Sequence, residues 1–325
     1  MLPVYQTACK LNTVFITFCQ GVGILGEFWI VALGSAAVLC AAAAGVAVLI
    51  GWKLTHPARR ALTQSPEQFG LVCEPMRFPS REGGVQLSGW LLPPTGAARL
   101  TIVFAHGYAG NRLERGLPAL ALAKSLVEAG CRVLMFDFRN SGESEGRLTT
   151  VGQLEQFDVL GAVDWAAQRY AEPIGLLGFS MGGTASLLAA ARDPRVLAVV
   201  ADSAFSRLKP YLRRNLSVWS KLPRYPFTPL IMAILPLLTG VRPDEVDALA
   251  AVERLYPRPA LFIHSEADQA IPAANSRELQ AAHPDRFRLW TTPTGGHVGS
   301  YAQQPEAYTE QVLRFFADAA ADFIK

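Results

Sequence analysis

Residues Ile174 to Ala191 read IGLLGFSMGGTASLLAAA. The continuous apolar run Ile174 to Phe179 has the length of a buried strand, and Gly182 to Ala191 continues as a helix of small and apolar residues. Ser180 therefore stands on a sharp turn between strand and helix, with Gly178 and Gly182 on either side. Such a turn strains the backbone of the serine and brings strand and helix so close that side chains at 178 and 182 would collide. A serine presented this way is a candidate nucleophile; a serine that merely caps the following helix is the plainer alternative.

The same alternation extends outward on both sides. Leu100 to Phe104 is followed by the helical stretch Leu117 to Ala129, and Arg132 to Phe136 by Gln153 to Tyr170. Gly83-Gly84 marks a turn before a short strand, Gln86 to Leu92, and further strand-like runs cover Val196 to Ala201, Pro259 to His264 and Phe287 to Thr291. Pro305 to Phe323 closes the chain as an amphipathic helix with Tyr308, Val312, Phe315 and Phe316 on one side. Strand-helix-strand order predicts an α/β fold with a mostly parallel central sheet flanked by helices. Phe205 to Ala250 breaks the order with six basic residues followed by the apolar, proline-broken stretch Phe227 to Leu238. This predicts an inserted helical cap over about 205–250, against the simpler reading of one long helix and its connection.

A serine hydroxyl becomes nucleophilic when a base removes its proton, and that base needs a third group to hold its tautomer. Of five histidines, His297 in Thr294-Gly295-Gly296-His297-Val298-Gly299 lies in a glycine-rich loop after the last strand, which suits it to approach Ser180. His106 is read instead as a residue that holds its loop in place. Asp268 follows the strand ending at His264 and precedes Ile271-Pro272, giving the chain order Ser, Asp, His; Glu266 and Asp202 are the rival carboxylates. In Phe104-Ala105-His106-Gly107-Tyr108, a glycine-bearing turn after a strand is suited to aim the Tyr108 backbone N–H at a developing oxyanion, with the Met181 N–H as second donor.

Ahead of all this, Phe28 to Trp52 runs without a charge, bracketed by Trp29 and Trp52 and followed by Lys53, Arg59 and Arg60. About 20 apolar helical residues cross a hydrocarbon core. The sequence thus divides into a membrane anchor over 1–55, spanning about 28–52, a proline-rich linker over 56–80, and a large domain over 81–325. Leu11 to Gly26 is a second uncharged stretch, open as a half-buried segment or a second span. The basic flank after the span outweighs Lys10 before it and places the domain in the cytoplasm, in a single-span or a hairpin arrangement.

Composition closes off other classes. The chain has 325 residues, half of them hydrophobic, and a formal net charge of +3 with basic residues dispersed, so neither disorder nor nucleic-acid binding is indicated. Cys9, Cys19, Cys40, Cys73 and Cys131 lie far apart with no metal spacing and read as reduced thiols; no metal or organic cofactor is expected.

These motifs resemble the α/β-hydrolase superfamily over about Glu82 to Phe323, in particular its monoglyceride-lipase-like and serine-aminopeptidase-like branch with its single-span bacterial members. His106-Gly107-Tyr108, Asp137 to Ser144, Gly178 to Gly183, and Asp268 with His297 carry the resemblance. The sequence departs from the family at Ser265 and at Asn140, where glycine is usual. The resemblance implies a serine hydrolase of a carboxylic ester, lipid-like esters included, with Ser180, His297 and Asp268 as its triad and Asp137 to Ser144 as a turn braced by Arg139. Amide or thioester cleavage on the same residues, or an inactive membrane-tethered binding module, are the alternatives.

Overall fold

A computed structural model describes the backbone of residues 3–324 and the side chains of residues 29–322. Helix α1 (Pro3–Thr55) leads to a short 3-10 turn at Pro66–Phe69 and an antiparallel pair, β1 (Glu74–Pro79) and β2 (Gln86–Leu92). Then β3 (Leu100–Ala105), α2 (Ala119–Glu128), β4 (Cys131–Phe136), α3 (Glu155–Ala167), β5 (Ile174–Phe179), α4 (Met181–Ala190) and β6 (Val196–Asp202) alternate. Two helices interrupt, α5 (Leu208–Ser220) and α6 (Arg224–Thr239). The alternation resumes with α7 (Ala248–Leu255), β7 (Ala260–Ser265), α8 (Ala274–Ala282) and β8 (Phe287–Thr292), and α9 (Ser300–Gln303) and α10 (Pro305–Ile324) close the chain.

The eight strands form one sheet in the order β1-β2-β4-β3-β5-β6-β7-β8. β2 lies antiparallel to both β1 and β4, and β3 through β8 run parallel to one another. Because successive strand side chains point to opposite faces, β3 sends Val103 and Ala105 into one apolar layer, under α3, α4, α7 and α8. Ile102 and Phe104 enter the other layer, under α2 and α10. With both faces covered, the central strands carry no polar alternation, which is why they read as continuous apolar runs.

One boundary needs correction. The stretch read as a linker over 56–80 contains β1, with Met76 and Phe78 buried between exposed neighbours. Its Pro75 and Pro79 are tolerated because β1 is an edge strand, where a missing N–H faces no partner strand. The upstream part is also docked: Asn111 Nδ2 donates to the carbonyls of Arg60 and Ala61, and Arg60 Nε donates to Ala109 O at 2.9 Å.

Helices α5 and α6 fill the predicted cap interval, and Ile231 of α6 and Leu216 of α5 form a buried cluster with Ala47 of α1. Trp29–Thr55 has mean hydropathy 2.3 over its most apolar window and is long and apolar enough to cross a membrane. The side chains of Leu11 to Gly26 lie outside the described residues, and the reading of that stretch with them.

Candidate active site

Ser180 occupies the tip of the turn from β5 into α4 with φ 53° and ψ −117°, a conformation rare for a residue with a side chain. The two glycines permit it. A Cβ on Gly178 would stand 2.4 Å from Gly182 O, and one on Gly182 would stand 2.0 Å from Ala105 O. Both approaches are well inside van der Waals contact, so helix α4 can sit this low on the sheet only without those atoms.

The three residues singled out from distant segments meet here. His297 Nε2 lies 2.9 Å from Ser180 Oγ, and His297 Nδ1 lies 2.7 Å from Asp268 Oδ2. A carboxylate only accepts, so Nδ1 carries the ring proton and Nε2 is free to accept from the hydroxyl. Asp268 Oδ1 accepts from Ala270 N at 2.8 Å and Ile271 N at 2.9 Å. Burial alone would raise this carboxyl, but hydrogen bonds from His264 and His297 and the Ile271 amide hold it well below the usual carboxylate range.

The rival carboxylates are engaged elsewhere. Glu266 pairs with Arg277 at the surface. Asp202 is buried and accepts from Ser203 Oγ at 2.9 Å and Tyr308 Oη at 3.0 Å. Burial, only partly offset by those bonds, raises its carboxyl.

The sequence reading missed His264, which is fully buried with its Nε2 3.3 Å from Asp268 Oδ2 and 2.8 Å from Ile271 O. With acceptors on that side, its Nδ1 takes the Ser276 hydroxyl at 2.7 Å. The ring thus holds the same Asp268 oxygen that faces His297. Only its place in the apolar run ending β7 hinted at this, and a strand-end histidine is as often core.

Both departures from the family pattern acquire a physical explanation. Ser265 Oγ accepts from Gly296 N at 3.2 Å, pinning the loop that carries His297. Asn140 adopts φ 58°, a left-handed conformation that asparagine tolerates better than other residues with side chains. The turn around it is braced twice. Arg139 grips Asp158, with Nη2 to Oδ1 at 2.7 Å, while Asp137 accepts from Arg112.

Met181 is the first residue of α4, so its N–H has no acceptor inside the helix. Tyr108 follows the His106-Gly107 turn at the end of β3, and its hydroxyl donates to Leu54 O at 2.7 Å. His106 Nε2 accepts from Phe138 N at 3.0 Å, so its Nδ1 donates to Gly107 O at 2.7 Å; the ring ties two loops together and lies 2 % exposed.

Two cavities meet at Ser180 and Tyr108. One, of about 70 Å³, is walled by apolar side chains of the cap and of the end of α1, including Leu54, Leu216 and Ile231. The other, of about 320 Å³, is bordered by Gly107, Glu114, Arg115 and His297. Glu114, also missed, accepts from the amides of Gly107 and Arg115. Burial pushes its carboxyl up to about 8 against the pull of those two amides.

Comparison with known proteins adds three findings. A family model described as alpha/beta hydrolase fold matches residues 101–235. The Bacillus subtilis protein YqkD is 29% identical over 236 residues, 71% of this chain and 75% of that one, and YfhR of Escherichia coli K12 is 27% identical over 256 residues, 76% and 81%. Among solved structures, the Pyrococcus furiosus esterase Pf2001 superposes with a TM-score of 0.69 at 25% identity, over 82% of this chain and 98% of that one.

Proposed function

With an α/β-hydrolase fold in place, we propose that the chain is a serine hydrolase that cleaves a carboxylic ester through an acyl-Ser180 intermediate. The observation that carries this is the hydrogen-bonded line from Ser180 through His297 to Asp268, opening onto an apolar cavity. Ser180 Oγ attacks the ester carbonyl carbon as its proton passes to His297 Nε2, and the resulting oxyanion sits between the N–H groups of Tyr108 and Met181. The tetrahedral adduct collapses, the C–O bond to the alcohol breaks, and His297 returns its proton to the leaving oxygen. Water then attacks the acyl-enzyme with His297 again as base, releasing the acid and restoring the hydroxyl.

The acyl group takes the apolar cavity, and the leaving group the polar one beside Glu114 and Arg115. The esterase among the structural neighbours supports ester chemistry, the apolar lining and the apolar helix α1 support a lipid-like ester at a membrane that α1 spans, and the basic residues Lys53, Arg59 and Arg60 after the span support a cytoplasmic domain. The decisive measurement is covalent labelling by a fluorophosphonate. Labelling is expected on wild type and absent from Ser180→Ala; an unlabelled wild type, or a labelled variant, rejects the proposal. Protease added outside intact cells is expected to leave the domain uncut.

A second reading, cleavage of an amide bearing a free amine, is favoured by the Glu114 carboxyl in the polar cavity, which a bound ammonium would draw down into its ionised form and pair with. Faster turnover of aminoacyl nitroanilides than of nitrophenyl esters would select it.

A further inference from the structure

The apolar cavity is closed on one side by the membrane helix itself. Leu54 and Thr55 of α1 line it together with Ser180 and Met181. Leu216 of α5 and Ile231 and Leu235 of α6 stand among the remaining lining residues. Resting on the ester hydrolysis proposed above, we propose that the last turns of α1 are part of the substrate site, forming a wall of the acyl pocket, and that Leu54 is a specificity-determining residue.

The contact is built rather than incidental. Ala47 is fully buried against the cap, and a Cβ on Gly51 would lie 3.8 Å from Leu235 Cδ1 and 3.9 Å from Ile231 Cγ2, so the helices pack at ordinary contact distance. Polar ties then fix the wall to the catalytic loops. Tyr108 Oη donates to Leu54 O at 2.7 Å, and Thr149 N donates to Thr55 O at 2.8 Å. The residue whose amide is assigned to the oxyanion is thus tied to the residue that lines the pocket.

The placement also suits a substrate dissolved in a bilayer. Upstream of Ala47 the helix is largely exposed, and residues 29–46 supply about 27 Å of helix at 1.5 Å per residue. The packing of α1 on α6 begins at Ala47, where this exposed apolar stretch ends. Leu49 on α1 and Leu237 on α6 are 54 % and 87 % exposed, leaving apolar surface on two of the elements that wall the cavity. The ligand this fits is the single acyl chain of a membrane-dissolved ester.

The test uses the full chain in detergent micelles with p-nitrophenyl esters from acetate to dodecanoate, and reads the ratio of kcat/KM on decanoate to that on acetate. Leu54→Trp fills the pocket and is expected to lower the ratio roughly tenfold or more, while Leu54→Ala enlarges it and raises the ratio. Leu39→Trp, on the exposed surface of the same helix, is expected to keep the wild-type ratio. Wild-type ratios in both Leu54 variants overturn the inference, as does an equal shift in Leu39→Trp. Failure of wild type to react with a fluorophosphonate instead overturns the nucleophile assignment beneath it.

Discussion

In the proposed mechanism the Asp268 carboxylate does two things for one imidazole: it fixes the Nδ1–H tautomer and faces the charge that appears when His297 takes a proton. Asp268→Asn keeps the shape and removes both, because an amide nitrogen facing Nδ1 turns the ring into the wrong tautomer. A loss of about 10⁴-fold in kcat is expected on a soluble nitrophenyl ester, with little change in melting temperature. A loss under tenfold would mean that Asp268 does not orient the base. Glu114 makes a different demand. Its carboxyl stands beside the Gly107 amide at the oxyanion loop, protonated at neutral pH and ionised above about 8. A negative charge there opposes the developing oxyanion, so kcat is expected to fall as pH rises through 8, and Glu114→Gln to abolish that fall. Stability follows the same proton. The folded value lies above the ordinary 4.5, so between 4.5 and about 8 the folded state holds more proton than the unfolded one, and stability declines as pH rises across that window. Melting curves at pH 5 and pH 8.5 should therefore diverge in wild type more than in Glu114→Gln. Ser180, Asp268 and His297 were legible because each sits beside a strand end with a distinctive turn. Glu114 and His264 were not, since nothing in sequence spacing links residue 114 to residue 107, or marks a strand histidine as the support of a carboxylate four positions on.

Elements were legible in proportion to their burial. β5 falls where its apolar run places it, Ile174–Phe179, because a strand covered on both faces leaves an uninterrupted signal, and β2, Gln86–Leu92, follows the Gly83-Gly84 turn that marks its start. β1 escaped because two prolines in six residues look like a linker, and only the spacing of Met76 and Phe78 betrays a pleat. The turn between β5 and α4 is where element geometry and chemistry coincide, and it yields a sharp expectation. Gly182→Ala puts a methyl group 2.0 Å from Ala105 O, which forces α4 away from β3. A loss of about 1–3 kcal/mol in stability is expected from the overpacking, together with loss of fluorophosphonate labelling. Gly34→Ala, with nothing within 4 Å of the added carbon, should leave both unchanged. An active, fully stable Gly182→Ala protein would show that the tight turn is not required to present Ser180. At α7 the effect is smaller: Asp247 Oδ1 accepts from Ala250 N at 2.8 Å as the N-cap, and Asp247→Ala should cost about 1 kcal/mol in a denaturant titration.

On the scale of the whole molecule, α1, the cap and the sheet domain share one apolar joint. From sequence, α1 is a membrane span and the following residues a tether, and the basic residues after it are a topology signal. The structure gives two of those residues a second task, since Arg59 Nη2 donates to Gly146 O at 2.7 Å and Arg60 Nε to Ala109 O. No local pattern reveals such ties, because the partners lie about fifty or more residues away in sequence. A chain beginning at Thr63 loses them all. It also uncovers Leu216 and Ile231, which are 4 % and 1 % exposed beneath α1 in the full chain. Burial of an aliphatic side chain contributes about 1.5–3 kcal/mol, so the truncated chain is expected to melt several degrees lower and to elute as aggregates in detergent-free buffer. A mild detergent, covering the same patch, should restore a single monomeric peak while leaving Ser180 reactive toward a fluorophosphonate, because the line from Ser180 to Asp268 is anchored in β5, β7 and the loop after β8. If the Thr63 chain instead runs as a monomer without detergent at an unchanged melting temperature, the joint contributes nothing and α1 is a tether alone.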